Sequence, residues 1–129
     1  MKTQPCPCQS TKSYADCCQR WHEGEYYLQA PDAESLMRSR YSAFVLDKLE
    51  YLLQTWHPQT RPEHLDPNPI GLKWLGLQIR QHTVIDDTQQ EVEFVARSRY
   101  QGRATRLHEI SRFVREQGRW FYVDGAFKT

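Results

Sequence analysis

All four cysteines of this 129-residue chain fall within a single thirteen-residue stretch, as Cys6-Pro7-Cys8 and Cys17-Cys18. A disulfide framework would spread its cysteines so as to tie distant segments together. Crowded into one short loop, they constrain nothing but that loop, and thiolates at such density repel one another unless a cation sits among them. Zinc suits the ligand set, since it takes four sulfurs tetrahedrally at ~2.3 Å and has no redox chemistry of its own. Free thiols or a reversible redox pair are the alternatives that the residues leave open. The loop chemistry fits a small metal site. Pro5 and Pro7 hold the first pair extended, Ser10 offers a hydroxyl, and Lys2, Lys12 and Arg20 supply positive charge against four thiolates. Four protein ligands leave no open position, so Zn2+ held by Cys6, Cys8, Cys17 and Cys18 is expected to be a single structural ion that shapes a surface.

The length suits one core rather than two. With 17 Lys and Arg against 16 Asp and Glu, the net charge of +1 argues against a protein whose main task is to hold DNA by its phosphates. No apolar run approaches the ~20 residues of a membrane helix. The first residues carry no secretory pattern, and a cytoplasmic location is expected. The five histidines, His22, His57, His64, His82 and His108, lack ligand spacing. His22 is expected at the surface, and His57 at a helix end. No nucleophile motif and no phosphate loop is present, and no catalytic residue is assigned.

Beyond a polar connection over Trp21 to Pro31, the hydrophobic period is helical and then becomes two. A helix is predicted from Asp32 to Leu46, capped by Asp32, with Arg40 near the middle of its apolar face and Arg38 well to one side. A second helix is predicted from Asp47 to Trp56, ended by Pro58. A proline-rich loop follows to Gly71, with at most one short helix around Pro62 to Leu65. From Lys73 onward four strands alternate, one with Leu75, Leu77 and Ile79 on a shared face. Their breaks fall at Asp86-Asp87, Gln101-Gly102 and Gln117-Gly118, spacings that make an antiparallel meander. The fold class is α+β, with a curved antiparallel sheet packed on N-terminal helices.

The stretch Cys6-Pro7-Cys8-Gln9-Ser10-Thr11-Lys12-Ser13-Tyr14-Ala15-Asp16-Cys17-Cys18 resembles the SEC-C motif, the zinc-binding module of the tail of the SecA motor ATPase. The motif's usual Gly-Ser-Gly is here Gln9-Ser10-Thr11. If either glycine takes a positive φ, its replacement strains the turn by ~1 kcal/mol. Downstream, Leu36-Met37-Arg38-Ser39-Arg40-Tyr41-Ser42-Ala43-Phe44, Thr55-Trp56-His57-Pro58, Leu107-His108-Glu109-Ile110-Ser111-Arg112-Phe113 and Trp120-Phe121-Tyr122-Val123-Asp124-Gly125 resemble the YchJ family of bacterial proteins. That resemblance implies a cone-shaped fold similar to nuclear transport factor 2 and ketosteroid isomerase. It divides the chain into a zinc module over 1–22 and a cone domain over 30–127. The module's likeness to the SecA tail implies a protein partner or the ribosome.

Glu109 shares a strand face with Leu107 and Phe113, and Arg40 shares a helix face with apolar residues. Two opposite charges turned into one core predict a pair, because either alone would cost several kcal/mol. Tyr41, Trp56, His57 and Ser111 are its expected neighbours. Such a cluster reads either as the base of a ligand pocket, with Glu109 as an acid or base, or as an ion pair fixing helix to sheet. Between Arg97 and Arg119 lie seven arginines and two acids. That basic stripe could meet nucleic acid, or be a solvated face paired with Glu91 and Glu93 across strands. The function expected is a zinc-binding protein that docks a partner through its cysteine module. The alternative is a small-molecule binder or enzyme using the pocket around Arg40 and Glu109.

Overall fold

A computed structural model describes residues 4–128. Three helices, α1 (Gln19–His22), α2 (Ala33–Val45) and α3 (Leu49–Gln54), precede four strands, β1 (Lys73–Asp86), β2 (Gln89–Tyr100), β3 (Arg103–Glu116) and β4 (Arg119–Phe127). The strands form one antiparallel sheet in the order β1-β2-β3-β4, the α+β meander that the change of period predicts. Two of its turns have positive φ at both central residues, Gln101-Gly102 and Gln117-Gly118, the geometry that matches a right-handed strand twist. The first turn falls at Asp87-Thr88, one residue later than expected.

Helix α2 begins where Asp32 Oδ1 accepts from the Ser35 amide at 2.7 Å, a cap worth ~1 kcal/mol. It ends before Asp47, whose φ of 56° lies in the left-handed region. Along α2, Leu36, Met37 and Tyr41 are buried against Leu77, Val92, Phe94, Ala96 and Phe113 of the sheet. The segment after α3 is tied to the far edge of the sheet: Tyr122 N donates to Thr55 O, and His57 N to Tyr122 O. Helix and edge strand thereby close the two sides of a cone.

Strand β1 departs from the simple alternation. A register shift between Trp74 and Gly76 leaves Leu75 exposed and turns Trp74 inward, where it packs against Tyr41 and Phe44. A bulge of this kind re-aims side chains by one position. The proline-rich loop holds no helix among the described residues. Among the described residues no helix is long and apolar enough to cross a membrane.

Candidate functional site

The four cysteine Sγ atoms lie within 4.8 Å of one another, and all four residues are buried. The loop that gathers them is closed by backbone bonds, Cys6 N to Lys12 O and Gln9 N to Cys6 O. Four sulfurs so close cannot share one acidity. The Cys6 thiol is driven far down by the hydrogen bonds that Cys18 and Cys8 give it, and Cys18 far up because it supplies them. A cation among the sulfurs removes that conflict, and four converging thiols form a donor set that could hold a metal ion.

The cysteine loop does not stand clear of the cone. Its sulfurs belong to the same buried cluster as Ala33, Leu36, Met37, Tyr41 and Leu77. Helix α2 supplies the groups nearest to them: Ser42 Oγ is 3.5 Å from Cys6 Sγ, and Arg38 Nη1 donates to Cys8 O at 3.1 Å, with Cys8 Sγ 4.0 Å away. From within the loop, Ser10 Oγ accepts from the Lys12 amide at 3.3 Å, the backbone role expected of that serine, and also meets Cys17 Sγ at 3.1 Å. The cation at the sulfurs is thus Arg38. Arg20 donates to Cys17 O instead, Lys12 is exposed, and Lys2 lies outside the described residues.

Gln9 and Thr11 both have positive φ, 62° and 77°, the conformation that a glycine would adopt without strain. Gln9 gains a compensating contact. Its amide lies over Gly76, where a Cβ would come within 2.8 Å of Oε1, and its Nε2 donates to Leu75 O at 3.4 Å. The cysteine loop is thereby fastened to the β1 bulge.

His22 is buried rather than exposed, and it is no metal ligand. Both ring nitrogens are engaged: Nε2 donates to Ser39 O at 2.7 Å, and Nδ1 accepts from Tyr14 Oη at 2.6 Å. Burial lowers its pKa and keeps it neutral.

Between α2 and the sheet lies a cavity of about 280 Å³. Its wall is aromatic and apolar, with Phe44, Trp56, Trp74, Phe94 and Tyr122 prominent. Arg40, Tyr41, Trp56, Glu109 and Ser111 come together there. His57 does not: its Nε2 reaches Glu116 at 2.8 Å, and its ring packs on Phe121, outside the cavity.

Arg40 and Glu109 line the same space but form no contact pair. Arg40 Nη1 donates to Leu52 O at 2.9 Å and Thr55 Oγ1 at 2.7 Å. Leu52 O is one of the last carbonyls of α3, which lack partners within their own helix. The guanidinium lies over the Trp56 and Tyr122 rings, 5.1 and 4.6 Å from their centroids. Burial pushes its pKa down to about 10, with Tyr122, Tyr51 and Glu109 opposing the shift, so it stays charged at neutral pH. Glu109 Oε2 accepts from Ser111 Oγ at 2.9 Å. Its side chain crosses Gly125 on β4, where a Cβ would collide with Oε1 and Cδ and stand 2.8 Å from Cγ.

Two polar groups in this wall have unused capacity. Trp56 Nε1 is buried without a hydrogen-bond partner. Arg40 uses Nη1 alone among its donors to bond other described residues. Sequence reasoning missed Arg38, Ser42 and Gly125. The first two were legible as polar residues flanking the apolar stripe of α2, but Gly125 carried no signal beyond being a glycine in a strand.

A cysteine cluster seated on a helix-and-sheet cone defines the class: a SEC-C module joined to an NTF2-like body. The model of the SEC-C motif matches residues 3–20, and that of the YchJ middle NTF2-like domain matches residues 32–125. A UPF0225 protein of Bordetella pertussis is 68% identical over 123 residues, 95% of this chain and 92% of that one. The solution structure of a SEC-C motif containing protein from Rhodopseudomonas palustris superposes with a TM-score of 0.82 at 31% identity, covering 96% of this chain and 98% of that one. The crystal structure of a SEC-C motif containing protein from Psychrobacter arcticus gives 0.79 at 34%, covering 98% and 84%. The chain belongs to the YchJ (UPF0225) family.

Proposed function

We propose that this protein binds a small molecule in the cone cavity, and that a structural zinc clamps the helix forming one wall of it. The observation that carries the reading is the largely apolar cavity that Arg40, with donors unused, and Glu109 both line. A buried donor without an acceptor costs ~1–3 kcal/mol, and a ligand oxygen would relieve it. The ligand is a flat, largely apolar molecule. It carries an anionic or carbonyl oxygen toward Arg40 and Trp56, and a hydroxyl or amine toward Glu109.

Zinc is favoured by size. A tetrahedron with ~2.3 Å arms has edges of ~3.8 Å. The sulfur separations of 3.7 Å for Cys8–Cys17 and 3.9 Å for Cys17–Cys18 fit such edges. Met37 and Tyr41 belong to the buried cluster that includes the cysteines and also line the cavity, so the metal supports the binding wall without taking part in it.

The test is a panel of aromatic carboxylic acids with and without ring hydroxyls, screened against the zinc-loaded chain by thermal shift and ligand-observed NMR. Hydroxylated members should bind, and Glu109→Gln should weaken them more than it weakens members without a hydroxyl. Uniform failure of the panel, or indifference to Glu109→Gln, removes the proposal. A second reading, docking of a protein partner or the ribosome, is favoured by the groove where Pro5, Pro7 and Lys12 of the module face Val45 and Trp74 of the cone. It predicts that Lys12→Glu abolishes partner capture and leaves the cavity's ligands unaffected.

A further inference from the structure

The basic stripe read from the sequence divides in three dimensions. Its C-terminal part is spent locally except at exposed Arg115: Arg112 makes two 2.6 Å bonds to Asp124, and Arg119 donates to Gln54 O and lies over Phe121. Its N-terminal part is not. Arg97, Arg99, Arg103 and Arg106, with Lys73 beside them on β1, are all exposed. None forms a salt bridge among the described residues. The acids of β2, Glu91 and Glu93, form no salt bridge with them. Glu93 holds His108 at 2.7 Å and Lys128 at 3.8 Å, and Arg112, the register partner of Glu91, has turned to Asp124. No Asp or Glu lies between Asp66 and Asp86, or between Glu93 and Glu109.

The register sharpens this. Lys73 stands directly opposite Arg99, and Arg97 directly opposite Arg106. Like charges directly opposite each other destabilise a sheet, so folding gives no reason for the arrangement. Charge on an exposed edge can deter strand-to-strand aggregation, but Arg97 and Arg99 sit on β2, which is paired on both sides at these positions. On its β4 side the β2–β3 hairpin stands out as an arm. Strand β1 starts opposite Arg99 and β4 ends opposite Glu109, and the chain is exposed throughout from Arg99 to Arg106.

We propose that the outer face of this arm binds the phosphate backbone of double-stranded RNA through Lys73, Arg97, Arg99 and Arg106. Guanidinium groups bond phosphate oxygens in pairs. Among these cations the exposed large apolar side chain is Leu75, a single residue where a protein partner would need an apolar centre for its anchors. The face's one exposed β1 amide beside these cations is Gln78, and the four cations outnumber it, so the contacts go mainly to the backbone. Three strands abreast span about 10 Å before side chains, which is broader than the two-stranded ribbon that enters the major groove of B-DNA. Such a face lies across phosphate ridges, the mode in which A-form RNA is recognised by shape and backbone.

The experiment measures binding of the zinc-loaded full chain to an RNA duplex of about 20 base pairs, a span that covers one such module. A DNA duplex of the same sequence and polyglutamate as competitor are run in parallel. Four phosphate contacts predict a loss of about 100-fold in affinity between about 50 and 200 mM salt. The double variant Arg97→Ser/Arg99→Ser should lower the salt slope by about two, with its melting temperature unchanged or raised as like charges separate. Arg115→Ser, an exposed arginine at the far end of β3, should bind as the parent does. The proposal is overturned if the RNA duplex does not bind at about 50 mM salt, or if the double variant binds unchanged. Equal binding of the DNA duplex would overturn it in favour of a general polyanion surface, and displacement by polyglutamate in favour of an acidic protein.

Discussion

Replacing Gly125 by alanine tests whether the Glu109 carboxylate is positioned by the fold. The added Cβ would collide with Oε1 and Cδ of Glu109 and stand 2.8 Å from Cγ. Because Cγ is involved, rotating the carboxylate alone does not clear the clash, and the whole side chain must leave the floor of β4. That breaks the 2.9 Å bond from Ser111 Oγ, whose residue is fully buried. Overpacking of this kind costs ~1–3 kcal/mol, and the stranded hydroxyl adds about 1 kcal/mol. For a chain of this length about 1 kcal/mol moves the melting temperature by roughly 4 °C, so a fall of roughly 8–16 °C is expected. Urea denaturation of the four members of a double-mutant cycle isolates the cause. With Glu109→Ala in the background, Gly125→Ala should become nearly neutral, because the group it strikes is gone. Equal destabilisation in both backgrounds would mean that Gly125 serves the backbone of β4, and the positioned carboxylate would have to be abandoned.

Three further outcomes follow from the same geometry. Cys8→Ser should abolish stoichiometric metal, measured by elemental analysis. It should also disturb the methyl NMR signal of Met37, which shares a buried cluster with the cysteines and lines the cavity; an intact signal would show the two to be uncoupled. Thr11→Gly, at φ 77°, should raise stability by up to ~1 kcal/mol, read from the urea midpoint of the metal-loaded protein. Asp124 is held below the usual carboxylate range by the hydrogen bond and charge of Arg112. Its folded form therefore binds a proton less readily than its unfolded form. Its contribution to stability is present above the unfolded value, near pH 4, and is lost as pH falls through the folded one. Carbon-detected NMR titration should show that lowered midpoint, and Arg112→Ser should return it to the ordinary range.

Much of this protein was readable along the chain. The clustering of four cysteines, the capping Asp32, the helical and then alternating apolar periods, and two Gly-containing turns are local properties, set by steric preference and side-chain period. Periodicity also placed Arg40 and Glu109 on inward faces, and both do line the cavity. Only the tertiary structure decided what each inward group meets. Arg40 turned from Glu109 to the free carbonyl end of α3 and to two aromatic faces, because partners brought from other elements compete by distance and geometry, neither of which is written in spacing. Arg38 reached the cysteines across thirty positions of sequence, and one bulge in β1 exchanged Leu75 for Trp74 in the core. The unpaired arginines of the hairpin became visible only once Glu93 and Arg112 were seen to have chosen other partners. Composition sets how much charge a chain carries, whereas register and packing determine which of it remains free.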